Sequence, residues 1–466
     1  MPLIKFILNN KDISTSLPPG MVLLDFVRYH QHLTGTKVGC NEGDCGACTM
    51  LVGELKNNEL EYRALTSCLT PLGNVHGKQV VTVEGLNMKG LNPIQQAMYD
   101  ESATQCGFCT PGFVVSLAGF CLSGKPATTQ NAIAHIDGNI CRCTGYKSIE
   151  RAAAKVAELM QDRQSAAPTA FVSDNHILPA WFAEIKQRLY LLHTELNGQL
   201  HEATATEWVG GGTDVYVQKH DDMKNANIRF LFDDERLKGI TKQGNRCIIG
   251  ASATVTEMSE SPVMQEYFPR LAEHIKLISS TPIRNIATVG GNLINASPIG
   301  DITIFLLALD AMLVFSNGAQ RREIPLRQLY KGYKTLDKQP DEHLESISFE
   351  LPGNNTFFNF EKVSKRTNLD IASVNTAICM TMQGDTIQAI RISAGGVAPI
   401  PKLLDKTNAF LKGKSIHEST IDEAITLAQT EITPISDARG TANYKRLLLG
   451  QLIKAHFMTV SLNTAP

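Results

Sequence analysis

Apolar and polar residues alternate at the start of the chain, and the alternation then gives way to a helical period. Ile4, Phe6 and Leu8 recur at every second position, Asn9-Asn10-Lys11 has turn chemistry, and residues 13–17 suit a returning strand. Pro18-Pro19-Gly20 breaks the pattern. Over residues 21–32 the apolar side chains of Val22 or Leu23, Phe26 and Val27 fall at helical spacing, and residues 80–85 predict a strand that ends in a turn. Leu91-Asn92-Pro93 opens a helix, with proline in its first turn, that runs to about Thr104. Residues 113–122 are apolar on nearly every side, so that helix is expected to be buried, and Gly124 and Pro126 stop it. Thr128 or Thr129 caps a third helix over 130–136. A fourth covers 146–162, with Ile149, Ala153, Val156 and Met160 on one face.

Further along, residues 164–169 are small and read as a linker, and residues 181–194 have helical character but no motif. Three glycines at 210–212 after an apolar start predict a tight loop leading into a helix. Residues 302–313 form a buried helix or strand. Strands are expected at 344–352 and 357–363, and paired strands at 376–381 and 386–393, with a loop at 395–399. Helices are expected at 422–430 and 442–457. The fold class is therefore α+β, in more than one domain for 466 residues.

Composition narrows the partners. A net charge of about −2 with no Lys/Arg block argues against nucleic acid or an anionic membrane as the main partner. The start, MPLIKFILNN, lacks the apolar region of a signal peptide. The longest apolar run, 302–315, is too short to span a bilayer and carries Asp310. A cytoplasmic protein is expected.

The chemistry lies in the cysteines. There are 11, an odd number, and eight fall in tight clusters before residue 145. A disulfide framework does not suit a long chain without an export signal. Cys121, Cys247 and Cys379 stand apart and read as small buried apolar side chains. The others form two sets. GCNEGDCGAC gives Cys40-x4-Cys45-x2-Cys48, followed by Cys68, the spacing of plant-type 2Fe–2S sites. Gly39, Gly43 and Gly46 allow positive φ and close approach, so three thiolates on one short loop reach a compact cluster. Zinc is the competing ion, but its usual sites are paired CxxC knuckles. The second set is Cys106 and Cys109 in QCGFCTPGF, completed by Cys141 and Cys143 in CRC. A C-x-C pair is poor for zinc. Four helices with two thiolates on each of two loops make a bundle that holds a cluster between helix ends, where helix N-termini favour its negative charge.

Taken together, the two cysteine sets, with QCGFCTPG and GNICRCTGY around the second, resemble the iron–sulfur part of the molybdenum hydroxylase family. The opening order of strand, strand, helix and cysteine loop resembles a plant-type ferredoxin. VGGGTD at 209–214 and RNIATVGGNLINASPIGD at 284–301 resemble that family's flavin-binding domain, and the segments around 331–336, 364–372 and 436–453 resemble its later parts. The implied architecture is a β-grasp plant-type ferredoxin domain (1–88), a four-helix iron–sulfur bundle (89–163), a linker (164–195), an α/β FAD-binding domain (196–352) and a C-terminal α+β flavoprotein subdomain (353–466). The resemblance implies iron ligation by Cys40, Cys45, Cys48, Cys68, Cys106, Cys109, Cys141 and Cys143. It implies FAD contacts from Val209, Gly210, Gly211, Gly212, Thr213, Asp214 and Val215 on one loop. The others would come from Thr288, Val289, Gly290, Gly291, Asn292 and Asp301, with Lys362 near the flavin ring. Gln105 matches the family glutamine that lies against molybdopterin. Gly300 departs from the family's usual serine.

By the same resemblance, two 2Fe–2S clusters and one FAD form an electron line, with NAD⁺ as the final acceptor. No segment of the chain matches the family's molybdopterin domain, so that cofactor is expected on a large partner subunit, the two chains assembling as a dimer of heterodimers. Clusters and flavin fused in one chain resemble the small subunits of bacterial purine-oxidising members, which implies oxidation of hypoxanthine or xanthine to urate. Two other readings stay open: the same architecture serving an aldehyde or an N-heterocycle, and a stand-alone iron–sulfur flavoprotein that carries electrons. No catalytic acid or base is assigned to this chain.

Overall fold

Two units make up the chain: Met1–Asp234 with Ser280–Ala287, and Glu235–Ser279 with Thr288–Pro466. The computed structural model describes residues 3–163, 167–196, 205–366 and 369–464. Part of the small-residue linker and Thr367-Asn368 lie outside the described residues. The expected flavin domain of 196–352 is divided, since its described residues 205–234 and the later segment 280–287 belong to unit one.

In unit one, Ile4–Leu8 pairs antiparallel with Lys11–Thr15 and parallel with Gln79–Val81. Gln79–Val81 in turn pairs with Thr49–Lys56, and that strand with Glu59–Thr66. The hairpin between the last two turns on Asn57 and Asn58, both at positive φ, the backbone that a tight right-twisting hairpin needs. Ile4, Phe6 and Leu8 face one core with Phe26, Val27, Met50 and Val80. The helix expected over 21–32 is only Leu23–Asp25, and the chain continues as a π turn over Phe26–His30. The strand expected over 80–85 ends at Val81, and Val83–Leu86 winds into a 3₁₀ turn.

The helical part follows the apolar pattern. Pro93–Asp100 opens with a reciprocal cap between Asn92 and Gln95, and Thr129–His135 is capped by Thr128. Thr110–Leu122 is buried from Gly112 to Leu122, and each large side chain it hides contributes roughly 1.5–3 kcal/mol. Arg163 donates to the carbonyls of Cys121 and Ser123 at the end of that helix, where backbone acceptors lack partners. Lys147–Glu158 completes the bundle. The expected linker of 164–195 holds a helix at Pro168–Asp174, and the helical character expected over 181–194 is a 3₁₀ turn at Ala180–Ala183 followed by the helix Ile185–Glu195. Val172, Ile177, Leu178 and Phe182 enter the bundle core, while Ile185 and Leu189 pack with Ile7. This burial makes the stretch part of unit one rather than a spacer.

Unit two holds a five-stranded antiparallel sheet ordered Arg321–Pro325, Met312–Ser316, His343–Glu350, Arg246–Gly250 and Ile240–Gln243. The apolar run at 302–313 resolves into a helix, Asp301–Ala308, and then the strand from Met312. A four-stranded sheet follows, with Val374–Gln383 and Thr386–Gly395 paired as expected, covered by Glu418–Thr430 and Ala442–Thr464. Among the described residues, no helix is long and apolar enough to cross a membrane.

Candidate functional site

The first cysteine set is assembled by the hairpin of unit one. Thr49 pairs with Thr66, so Cys48, just before one strand, meets Cys68, just after the other. Their sulfurs stand 3.4 Å apart. Cys40 and Cys45 hydrogen-bond to each other on the loop ahead, and Cys40 Sγ accepts N–H bonds from Glu42 (3.4 Å) and Asp44 (3.3 Å). A Cβ at Gly39 would stand 2.6 Å from Cys45 Sγ, and Gly46 has φ +67°. These glycines are where the loop has no room for a side chain.

The second set sits at the mouths of helices. Cys109 is the N-cap of Thr110–Leu122, and Cys141 and Cys143 precede Lys147–Glu158. Cys143 Sγ lies 3.7 Å from Cys106 Sγ, and Cys109 hydrogen-bonds Cys141. Cys141 Sγ accepts from the N–H groups of Cys143 (3.4 Å) and Thr144 (3.5 Å) and from Thr144 Oγ1 (3.2 Å). Its own N–H donates to Tyr146 Oη at 3.1 Å. Cys141 is buried, whereas Cys106 and Cys143 are exposed beside exposed Gln105 and Phe108.

The eight thiols thus meet two by two: 40 with 45, 48 with 68, 106 with 143 and 109 with 141. Among the described residues, no three Cys, His, Asp or Glu side chains gather around a single ion. Two thiolates on one tetrahedral metal, with metal–sulfur bonds of about 2.3 Å, stand about 3.8 Å apart. The sulfur spacings come close to that value. Two such pairs in each set are the donors a 2Fe–2S cluster would need, with Cys40, Cys45, Cys48 and Cys68 holding one and Cys106, Cys109, Cys141 and Cys143 the other. The donor set therefore fits two 2Fe–2S clusters.

Electrostatics favour the thiolate at one member of three pairs, Cys40, Cys48 and Cys141. The hydrogen bond from Cys45 brings Cys40 down to about 5 and pushes Cys45 up. Cys48 is lowered in the same way by Cys68, which is raised by that bond and by burial. Burial pushes Cys109 up to about 12. Burial opposes the thiolate of Cys141 as well, but the bonds from Thr144 and from the Cys143 N–H outweigh it and hold Cys141 below the ordinary thiol range. Cys143 is raised, chiefly through its bond to Cys106. Backbone donors aimed at sulfur stabilise the form that binds metal. Cys121, Cys247 and Cys379 are buried, and burial raises all three thiols.

The two cysteine loops touch. Ile140 N–H donates to the Cys45 carbonyl at 3.0 Å, and Asn139 Nδ2 donates to the Gly46 carbonyl at 3.1 Å. Ser116 Oγ holds the other end of the Asn139 amide at 2.7 Å. Asp137, at the start of this crossing loop, accepts from Thr281 N–H (2.8 Å), Thr281 Oγ1 (3.0 Å) and Arg284 Nη2 (2.7 Å). Nothing in the local sequence marks these polar partners, because Asp137 and Arg284 lie 147 residues apart.

The two glycine loops lie on different units. On unit one, Val209 ends a short strand paired parallel with Ile228–Phe230. A Cβ at Gly211 would stand 1.5 Å from the Ile286 carbonyl, and Gly212 has φ +89°. Thr213 and Asp214 are half-buried at the mouth of a single turn, Val215–Gln218, so the expected helix is short. On unit two, Thr288 caps Val289–Ile294 through a 3.0 Å bond from Gly291 N–H, and Gly290 N–H donates to the Ala251 carbonyl. Asn292 Oδ1 accepts from Thr303 N–H and Oγ1, both at 3.1 Å. A Cβ at Gly300 would stand 3.0 Å from both Asn292 Oδ1 and Thr303 Oγ1, a tight fit. Asp301 and Lys362, singled out separately in the sequence, come together here. Lys362 Nζ donates to Asp301 Oδ2 (2.7 Å) and the Leu277 carbonyl (2.8 Å), and Asn375 Nδ2 donates to Asp301 Oδ1 (2.5 Å).

Comparison with known proteins gives four consecutive matches. Residues 6–73 match the 2Fe-2S iron-sulfur cluster binding domain and 82–154 a further [2Fe-2S] binding domain. Residues 193–352 match the FAD binding domain in molybdopterin dehydrogenase, and 360–460 the CO dehydrogenase flavoprotein C-terminal domain. The chain is 29% identical to a xanthine dehydrogenase of Emericella nidulans, over 88% of this chain and 35% of that protein. It is 28% identical to one of Dictyostelium discoideum, over 98% of this chain and 40% of that protein. The chain therefore spans well under half the length of these relatives. A solved carbon monoxide dehydrogenase from Hydrogenophaga pseudoflava aligns with a TM-score of 0.52 and 27% identity, covering 54% of this chain and 88% of that one. One from Oligotropha carboxidovorans gives 0.51 and 26%, over 53% and 87%.

Proposed function

We infer that this chain, which belongs to the molybdenum hydroxylase family as its iron–sulfur and flavin part, draws electrons from a molybdopterin centre on a partner subunit. It would pass them through two 2Fe–2S clusters and FAD to NAD⁺. The observation that carries this reading is the four pairs of facing thiols, with the loop of Cys45 hydrogen-bonded to the segment that leads into Cys141. When bound, each cluster supplies one-electron capacity, and the flavin couples single electrons to hydride transfer.

The residues act by holding and insulating. Backbone N–H groups and Thr144 hold sulfur charge at Cys40 and Cys141. We assign residues 209–215 on unit one toward FAD, and on unit two Thr288, Val289, Gly290, Gly291, Asn292, Asp301 and Lys362. Exposed Gln105, Cys106, Phe108 and Cys143 offer the face that a molybdopterin subunit approaches, with Gln105 against the cofactor. The partner arrangement proposed is a dimer of heterodimers, in the reducing cytoplasm that suits clustered free thiols.

The substrate proposed is hypoxanthine or xanthine, oxidised to urate, supported by the names of the relatives aligned over most of this chain. The likeness to carbon monoxide dehydrogenases favours a second reading, the same electron line serving another substrate. The test is xanthine-dependent NAD⁺ reduction by the complex purified from its source. Turnover with xanthine supports the first reading. Molybdenum, iron and flavin in the complex without xanthine turnover move the assignment to the second.

A further inference from the structure

One short segment, Ser280–Ala287, touches three loops of unit one. Thr281 and Arg284 hold Asp137 at the start of the loop that carries Cys141. Ile283 reaches Gly43 on the first cysteine loop, where a Cβ would stand 2.6 Å from Ile283 Cδ1. The Ile286 carbonyl lies against Gly211 on the first glycine loop. The Asp137–Arg284 pair is nearly buried, with side chains 13% and 12% exposed. A buried ion pair adds little net stability compared with apolar packing, but it fixes geometry, because either partner alone is strongly penalised.

What it fixes is the crossing between the two cysteine sets. Asp137 is followed by Gly138, Asn139 and Ile140. Gly138 is pinned between Gly46 and Pro282: a Cβ at Gly46 would stand 2.3 Å from the Gly138 carbonyl, and one at Gly138 would stand 2.7 Å from Pro282 Cδ. Ile140 N–H meets the Cys45 carbonyl, and the next residue is Cys141. A ligand of one cluster is thus joined to a ligand of the other through a single hydrogen bond and a few covalent bonds. Electron tunnelling weakens steeply with each added gap in such a route.

We infer that the Asp137–Arg284 pair is a positioning clamp that sets the electronic coupling between the two clusters, by holding residues 137–140 against Cys45 and Gly46. This rests on the reading that both cysteine sets carry 2Fe–2S clusters. In the step it governs, one cluster gives up one electron and is oxidised, and the other gains that electron and is reduced. No proton and no bond to a ligand is exchanged.

The test uses the full-length protein as purified with its clusters, reduced by dithionite and examined by low-temperature electron paramagnetic resonance. The unaltered protein is expected to show splitting from spin–spin interaction between the two reduced clusters, and absence of splitting with about four irons per chain overturns the proposal. In Arg284→Gln the splitting falls by half or more, with about four irons per chain retained, two per cluster, and Arg284→Lys recovers part of it. Unchanged splitting in Arg284→Gln with its iron intact overturns the proposal. If Arg284→Gln loses iron, Asp137→Asn decides, because it removes the ion pair and keeps an amide oxygen that accepts from Thr281 N–H. A changed splitting then supports the clamp and an unchanged one overturns it. Absence of iron from the unaltered protein refutes the cluster reading itself, and so is distinct from failure of the clamp.

Discussion

Lys362 Nζ and Asp301 Oδ2 stand 2.7 Å apart, with the lysine side chain only 2% exposed. Asp301 opens the helix Asp301–Ala308, where a carboxylate also meets the favourable end of the helix dipole. Asn375 fills its other oxygen. The pair therefore anchors the segment after the second glycine loop, whatever further contact it makes with flavin.

Removing either partner leaves a buried charge uncompensated, at a cost of about 3–5 kcal/mol. Asp301→Ala and Lys362→Met are each expected to lower the thermal midpoint and the FAD retained after gel filtration. The double variant is expected to lose less stability than the two singles summed. Unchanged flavin content in both single variants removes these residues from the FAD assignment.

Cys106→Ser and Cys143→Ser act on the same pair, whose sulfurs lie 3.7 Å apart. Either is expected to halve the iron while leaving flavin bound, and to stop electron flow through the chain. Iron and flavin analysis of the purified variants checks this. Full iron with intact turnover in such a variant contradicts the second cluster.

Glycine substitutions separate the two clusters. A Cβ at Gly39 would press on Cys45 Sγ at 2.6 Å, so Gly39→Ala is expected to lose first-cluster iron and keep the second cluster. Gly90→Ala meets nothing within 4 Å and serves as the control. The resonance signals of the reduced proteins tell which cluster remains. Equal loss of both signals in Gly39→Ala would show that the cradles are not independent.

The eight cysteines that the fold brings together in pairs were legible because their spacing is a mark that no core-packing pattern imitates. The strands at 4–8 and 374–395 and the buried helix at 110–122 were legible because burial imposes a period. Other features were hidden. The π turn at Phe26–His30 keeps a helical apolar period while changing its hydrogen bonds. The helical character of 181–194 was read, but the helix Pro168–Asp174 lacks a motif, and the packing of this stretch on Ile7 and Tyr62 is tertiary. Asp301 and Lys362 drew notice singly, but their pairing across 61 residues, like that of Asp137 with Arg284 across 147, depends on the fold and has no local signature.

Unit two carries an acid-sensitive core. Asn359 accepts from Arg270 and His274 and donates to Glu361 and His456, and His456 donates in turn to Thr376. Burial pushes His274 down to about 4 and His456 down to about 3. Both titrate near 6.5 when unfolded, so between those values the unfolded chain binds more protons. The contribution of these two histidines to stability then falls as pH drops from about 6.5, by roughly 3 kcal/mol for each at pH 4, and is constant above about pH 7. Thermal midpoints across that range check this, and His456→Gln is expected to flatten the slope. An unaltered slope removes His456 from the account.

This one chain is expected to hold two 2Fe–2S clusters as well as a flavin. The most direct test is iron quantification with low-temperature electron paramagnetic resonance of the dithionite-reduced protein. The account requires about four irons per chain and two distinct cluster signals, two irons to each. A single cluster signal at about two irons per chain, or zinc in place of iron, contradicts it.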